Sequence, residues 1–125
     1  MRNAMTLRIL DEVFSICKVA DFEANNMSSP YFFTASTDEE KSLVCPTRLV
    51  PDNTLERNDG WRGFRIDGTL DFSLIGIIAK ISKVLADGGV GIFVISTFNT
   101  DYILTKSESF DLAIGLLQSA GYSVI

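Results

Sequence analysis

The stretch Gly91-Ile92-Phe93-Val94-Ile95-Ser96-Thr97-Phe98-Asn99-Thr100-Asp101-Tyr102-Ile103-Leu104-Thr105 constrains the fold more than any other part of the chain. Val94, Ile95, Ile103 and Leu104 suit a pleated, half-buried surface, and the polar segment between them holds Asn99, which tolerates a positive φ. The pattern predicts two strands folded back through a tight turn, with everything after residue 60 packed on them. The turn also concentrates chemistry. Ser96, Thr97, Asn99 and Thr100 offer hydroxyl or amide groups and Asp101 a carboxylate, while Phe98 is a large ring of the kind that covers a ligand or a neighbouring subunit. Such a cluster at the end of a sheet suits a small polar ligand.

The flanks extend the pattern. Leu74, Ile77, Ile78, Ile81, Val84 and Leu85 recur at three- and four-residue spacing, which predicts a helix with one core face. Asp71 or Ser73 is placed to cap it, and Gly88-Gly89 to stop it. After the hairpin, Ser107 is expected to cap a second helix with Phe110, Ala113, Ile114 and Leu117 on one face, ended by Gly121 and followed by a strand from Tyr122 to Ile125. With a strand from Trp61 to Asp67, residues 61–125 read β-α-β-β-α-β. That is an α+β ferredoxin-like sandwich with two helices on one face of an antiparallel sheet.

Residues 13–50 carry the same order in reduced form: a strand at Val13 to Val19, an irregular crossover, a hairpin of Tyr31 to Ala35 and Lys41 to Cys45, and a single turn between Pro46 and Pro51. The chain thus reads as tandem units, 1–60 a degenerate copy and 61–125 a complete one, with the two sharing element order and no evident residue-level repeat. Residues 1–12 are expected to begin as a flexible end. Pro51-Asp52-Asn53-Thr54 and Asn58-Asp59-Gly60 read as a linker.

Composition narrows the function classes. Apolar residues make up 46% of the 125, enough for a core, and no apolar run approaches the roughly 20 residues needed to cross a bilayer. No signal-peptide pattern opens the chain, so a cytoplasmic location is expected. A net charge of −5 with no Lys/Arg cluster argues against nucleic acid. The absence of histidine removes Ser-His-Asp and Cys-His devices and the commonest metal ligand. No catalytic residue, metal site or cofactor is expected. Cys17 and Cys45 sit in apolar, strand-like contexts and read first as buried reduced thiols, with a disulfide or a reactive thiol as the alternatives.

Trp61-Arg62-Gly63-Phe64-Arg65, Gly68-Thr69-Leu70-Asp71-Phe72-Ser73-Leu74-Ile75-Gly76, Ile95-Ser96-Thr97-Phe98-Asn99-Thr100-Asp101-Tyr102, and in the first half Ser42-Leu43-Val44-Cys45-Pro46 and Arg48-Leu49-Val50-Pro51, together carry a resemblance. The chain resembles small bacterial proteins built from two ACT-type domains, related to the ACT modules of the animal cytosolic arginine sensor and to the regulatory domains of aspartate kinases. The resemblance implies binding of an amino acid between ACT units. It assigns the ligand's α-amino and α-carboxyl groups to the loop from Leu70 to Gly76, hence Asp71, Phe72, Ser73, Leu74, Ile75 and Gly76. It assigns the ligand side chain to the turn containing Thr97, Phe98, Asn99 and Asp101. The sensor's corresponding turn has the spacing Thr97-Phe98-x-x-Asp101 but an aromatic residue where this chain has Thr100. Self-association as a dimer and a regulated protein partner are also implied.

The same residues admit plainer roles. Asp71 and Ser73 are N-caps on helix physics alone, Gly76 allows close packing of helix on sheet, and Thr97, Asn99 and Thr100 are ordinary turn residues. The expected function is therefore a small-molecule sensor or regulatory protein without enzymatic activity. The alternative is an interaction module that takes no ligand and docks its turn on a partner protein.

Overall fold

The computed structural model describes residues 5–24, 28–68 and 75–125, which form eight strands and two α-helices. The strands are β1 (Thr6–Ile9), β2 (Phe14–Val19), β3 (Phe33–Ser36), β4 (Lys41–Pro46), β5 (Thr54–Ile66), β6 (Phe93–Ser96), β7 (Asp101–Lys106) and β8 (Ser123–Val124). The helices are α1 (Ile77–Asp87) and α2 (Ser107–Ser119). The chain divides into two units, Glu12–Trp61 and a discontinuous one made of Met1–Asp11 with Arg62–Ile125. The described residues up to Asp11, expected with the N-terminal half, thus belong with the C-terminal one.

The C-terminal unit has the βαββαβ order: the end of β5, α1, the β6/β7 hairpin, α2 and β8. β7 pairs with both β6 and β5, and α1 packs on α2. Leu7, Phe64, Ile66, Ile81, Leu85, Ile103, Phe110, Ala113 and Leu117 form the buried core between the helices and the sheet. Both helices end as the glycines predict. The Val90 N–H bonds to the Leu85 carbonyl at 2.9 Å and the Gly89 N–H to the Ala86 carbonyl at 3.0 Å, with Gly89 at φ +79. The same two-bond closure recurs after α2 through Tyr122 and Gly121. It satisfies carbonyls that a helix end leaves open. The Arg62 guanidinium lies 4.3 Å from the centroid of the Phe110 ring, a cation–π contact from β5 to α2.

One strand was not foreseen. Thr6–Ile9, in a stretch where the sequence shows little pattern, inserts between β5 and β8, antiparallel to the former (Leu7↔Ile66, Arg8↔Arg65, Ile9↔Phe64) and parallel to the latter (Thr6↔Ser123, Leu7↔Val124). Leu7 is fully buried in the core, which is the apolar gain that orders the segment.

The N-terminal unit is a four-stranded antiparallel sheet in the order β3-β4-β2-β5. Cys17, Val19, Leu43 and Cys45 form its small core, with Phe22, Phe32 and Val50 against it. A single 3₁₀ turn, Thr47–Leu49, stands where the C-terminal unit has α2. The segment expected as a linker is mostly strand, because Thr54 to Asn58 pair with Val19 to Ile16. Its turn-forming residues Asp59 and Gly60 sit at a register shift where β5 has one residue more than β2, and Gly60 takes φ +83. Turn chemistry here makes a bulge instead of a break.

Candidate functional site

Alternation along β7 decides where its carboxylate points. Ile103 faces the helices as part of the core, so Asp101, two residues before it, lies on the same face at the end of the strand. Asp101 pairs with Ser96 in the hairpin register, and the Ser96 hydroxyl donates to Asp101 Oδ1 at 2.5 Å. That bond fixes the carboxylate's direction while leaving its second oxygen available as an acceptor. The turn between them is closed by Thr97. Its N–H and its hydroxyl donate to the Thr100 carbonyl at 2.9 and 3.0 Å, and Thr97 Oγ1 lies 3.4 Å from the Thr100 N–H, which donates to it.

Thr100 is more than a turn residue. It is 6% exposed, and its hydroxyl donates to the Ile66 carbonyl at 2.7 Å. Ile66 is the last residue of β5, where the chain departs toward α1. One buried bond therefore ties the hairpin turn to the origin of the segment that precedes α1, the two parts that the sequence singled out separately. Next to Thr100, Phe98 is 79% exposed and Asn99 is exposed.

The helix α1 begins at Ile77, its N-cap is Gly76 in the left-handed region at φ +79, and among the described residues no side chain caps it. A Cβ built on Gly76 would meet nothing within 4 Å, so the glycine serves the backbone conformation and not close packing. The first N–H groups of a helix have no partner within it and suit an acceptor. Ile75 is 91% exposed beside it. Asp71, Phe72, Ser73 and Leu74 lie outside the described residues. Likewise α2 starts at Ser107 with Lys106 as its N-cap and no side-chain cap bond, where Ser107 had been expected to cap.

The N-terminal unit holds a second copy of the turn. Thr37 repeats Thr97: its N–H donates to the Glu40 carbonyl at 2.9 Å, its hydroxyl to the same oxygen at 3.3 Å, and it accepts from the Glu40 N–H at 3.1 Å. The registers also match, Ser36↔Lys41 against Ser96↔Asp101 and Phe33↔Val44 against Phe93↔Leu104. Phe33, Ser36 and Thr37 thus stand sixty positions before Phe93, Ser96 and Thr97, a residue-level repeat present in the sequence but too sparse to notice without the registers. What surrounds the shared threonine has changed. Lys41 replaces the Asp101 carboxylate, Asp38 the Phe98 ring and Glu40 the tethering Thr100. A shallow depression of about 250 Å³ at this charged turn is lined by Lys18, Thr37, Glu40 and Leu55, among others.

The two thiols are inert by placement. Both are free and buried, and Cys45 is pushed up to about 12, by burial first and by the neighbouring Cys17 second. Burial raises Cys17 as well. Among the described residues no helix is long and apolar enough to cross a membrane.

No curated protein matches the sequence. Among solved structures, a protein of Agobacterium tumefaciens is 28% identical with a TM-score of 0.85, covering 98% of this chain and 93% of its own. A Vibrio cholerae protein, described as of unknown function and a possible transport protein, is 17% identical with a TM-score of 0.73 over 94% and 91% of the two chains. The ligand-free regulatory subunit of aspartate kinase from Thermus thermophilus shares the fold at 11% identity and a TM-score of 0.68, over 94% and 99%. The family profile described as ACT domain matches residues 56–119, which include most of β5, α1, the hairpin and α2. By that match, over half of its length, the chain belongs to the ACT-domain family.

Proposed function

We propose that the protein is a regulatory or sensor protein whose C-terminal unit binds a small molecule, an amino acid, between the segment Asp71 to Gly76 and the turn Thr97 to Asp101. The observation that carries this reading is the buried bond from Thr100 to the Ile66 carbonyl, which anchors the turn at the origin of that segment. Each end of a zwitterion has a suitable partner. The start of α1, whose first N–H groups have no partner within the helix, suits an α-carboxylate. The Asp101 carboxylate, oriented by Ser96, suits an amino or other cationic group. The N-terminal unit keeps the turn but has a lysine in place of Asp101, so it serves as a reduced ACT-like scaffold and not as a second copy of the site. The protein works without catalysis, in the cytoplasm, as a homodimer that passes the ligand signal to a protein partner.

A thermal-shift screen against the twenty amino acids tests the reading. A ligand at 100 times its dissociation constant adds about 2.7 kcal/mol, several degrees for a chain of this length. One selective hit that Asp101→Ala abolishes, with folding intact, supports it; a flat screen on folded protein refutes it. The exposed Phe98 ring favours a second reading, a docking turn without ligand, which a flat screen together with a partner-dependent loss in Phe98→Ala would select. A light-scattering mass equal to the monomer, with and without amino acids, would count against the dimer.

A further inference from the structure

The extra residue of β5 faces a fully buried hydroxyl. Ile16 lies opposite Asn58 and Phe14 opposite Trp61, so the single residue Ser15 is matched by both Asp59 and Gly60. Ser15 is fully buried, and its hydroxyl donates to Asp59 Oδ1 at 2.6 Å. A hydroxyl has one proton to give. Since Ser15 commits it to the carboxylate, the 2.9 Å bond between the Ser15 and Thr47 hydroxyls runs from Thr47 to Ser15. Thr47 is itself held beside β2, because its N–H donates to the Val13 carbonyl at 2.8 Å. From within β5 the Arg57 Nε donates to the same Asp59 Oδ1 at 3.0 Å. Gly60, at φ +83 with nothing within 4 Å of an added Cβ, permits the bulge, but a glycine allows a conformation without choosing where along a strand it falls. The placement matters to Trp61. Residues three apart in a regular strand point to opposite faces. Here the Trp61 indole N–H donates to Asn58 Oδ1 at 3.1 Å, because the inserted residue returns both to the face that carries Phe14 and Ile16.

We propose that Ser15 is the register pin of the β2/β5 pair. By giving its proton to Asp59 it fixes the bulge at Asp59 and Gly60, and so holds Trp61 on the face of Phe14. Without that bond β5 is free to slide by one residue against β2, and a one-residue slip carries a side chain to the opposite face of the sheet. Thr47 and Arg57 act through the pin, the first by orienting the Ser15 oxygen and the second by orienting the carboxylate that it meets.

Trp61 is the only tryptophan in the chain, so its fluorescence and its indole N–H resonance report on the bulge without interference. In Ser15→Ala the indole N–H is expected to exchange about tenfold faster than in the wild type, the loss of one hydrogen bond to a charged group, while the amides of Leu43 and Val44 in the β2/β4 pairing keep their protection. The emission maximum should move with it. Asp59→Asn, which keeps an acceptor for Ser15 but loses the charge, should fall between. An unchanged indole in folded Ser15→Ala overturns the proposal, as does an equal loss at Leu43 and Val44, which would make Ser15 a stability residue only. Should Ser15→Ala fail to fold, Asp59→Asn decides, since that side chain is half exposed and the substitution keeps its shape. A faster indole there with Leu43 still protected supports the pin, and an unchanged one refutes it.

Discussion

Replacing Thr100 by valine tests the tether on which the candidate site depends. The two side chains have nearly the same shape, so the perturbation removes one hydroxyl from a position that is 6% exposed and leaves the Ile66 carbonyl without that donor. A net hydrogen bond contributes roughly 0.5–1.5 kcal/mol, and a buried acceptor left unsatisfied costs about 1–3 kcal/mol. The added methyl group recovers part of this by apolar burial, of order 0.8 kcal/mol. The expected loss is about 1–2 kcal/mol, or roughly 3–10 °C in the midpoint for a chain of this length. The three bonds that close the turn around Thr97 involve only the backbone of Thr100, so the hairpin itself should survive. Urea denaturation of the wild type, Thr100→Val and Thr100→Ser provides the measurement, since serine keeps the hydroxyl and loses only the methyl group. An unchanged midpoint in Thr100→Val, or a serine variant that falls as far as the valine one, would refute the tether. If Thr100→Val lost stability but bound the ligand as tightly as wild type, the turn would not need its anchor to form the site.

Further expectations concern the backbone and the titrating groups. Gly63→Ala would drive a methyl group into the Leu104 side chain and against the Ile103 carbonyl oxygen at 3.0 Å, and should cost about 1–3 kcal/mol in denaturant titration. Gly89→Ala meets no atoms within 4 Å but forces a side chain to φ +79, so a loss of about 1 kcal/mol should appear as faster exchange at the end of α1. Burial holds the Cys45 thiol neutral up to about 12 against an ordinary 9.0, so the unfolded chain releases its proton first. Stability should therefore fall as pH rises through that window, and Cys45→Ala should flatten the fall measured by alkaline denaturation. Asp67 behaves in the opposite sense. The Arg8 guanidinium holds its carboxyl below the usual 3.8, so the pair's contribution is present above that value and disappears as pH falls below it; an acid titration of Asp67→Asn should lack this component.

The hairpin, both helices and the order βαββαβ were legible because each rests on local periodicity and on glycine stops. The Thr97 turn was legible for the same reason. Three features were not. The strand Thr6–Ile9 is four residues long and is ordered by partners from distant parts of the chain, which no window around it contains. Asn58-Asp59-Gly60 has the composition of a turn, and the long pairing of β5 with β2 absorbs it as a bulge. The role of Thr100 depends on a carbonyl thirty-four residues away in sequence, so its buried hydroxyl looked like one more polar turn residue. The repeat of Phe33, Ser36 and Thr37 at Phe93, Ser96 and Thr97 involves three residues at a spacing of sixty, a signal that becomes distinct only once the strand registers align the two hairpins.

The insertion of β1 between β5 and β8 has a consequence for how the molecule is made. The Glu12–Trp61 unit contains all four strands of its sheet within one uninterrupted stretch and can close as soon as that stretch has been synthesised. The other unit needs a strand from one end of the chain and a strand from the other, lying side by side in parallel. Such distant pairings form slowly, since the loop-closure entropy is lost before contacts reward it. Leu7 therefore meets Ile66 only once the Glu12–Trp61 stretch has been made, and Val124 later still, so the unit that can close early occupies the interval between the two parts of the unit that cannot.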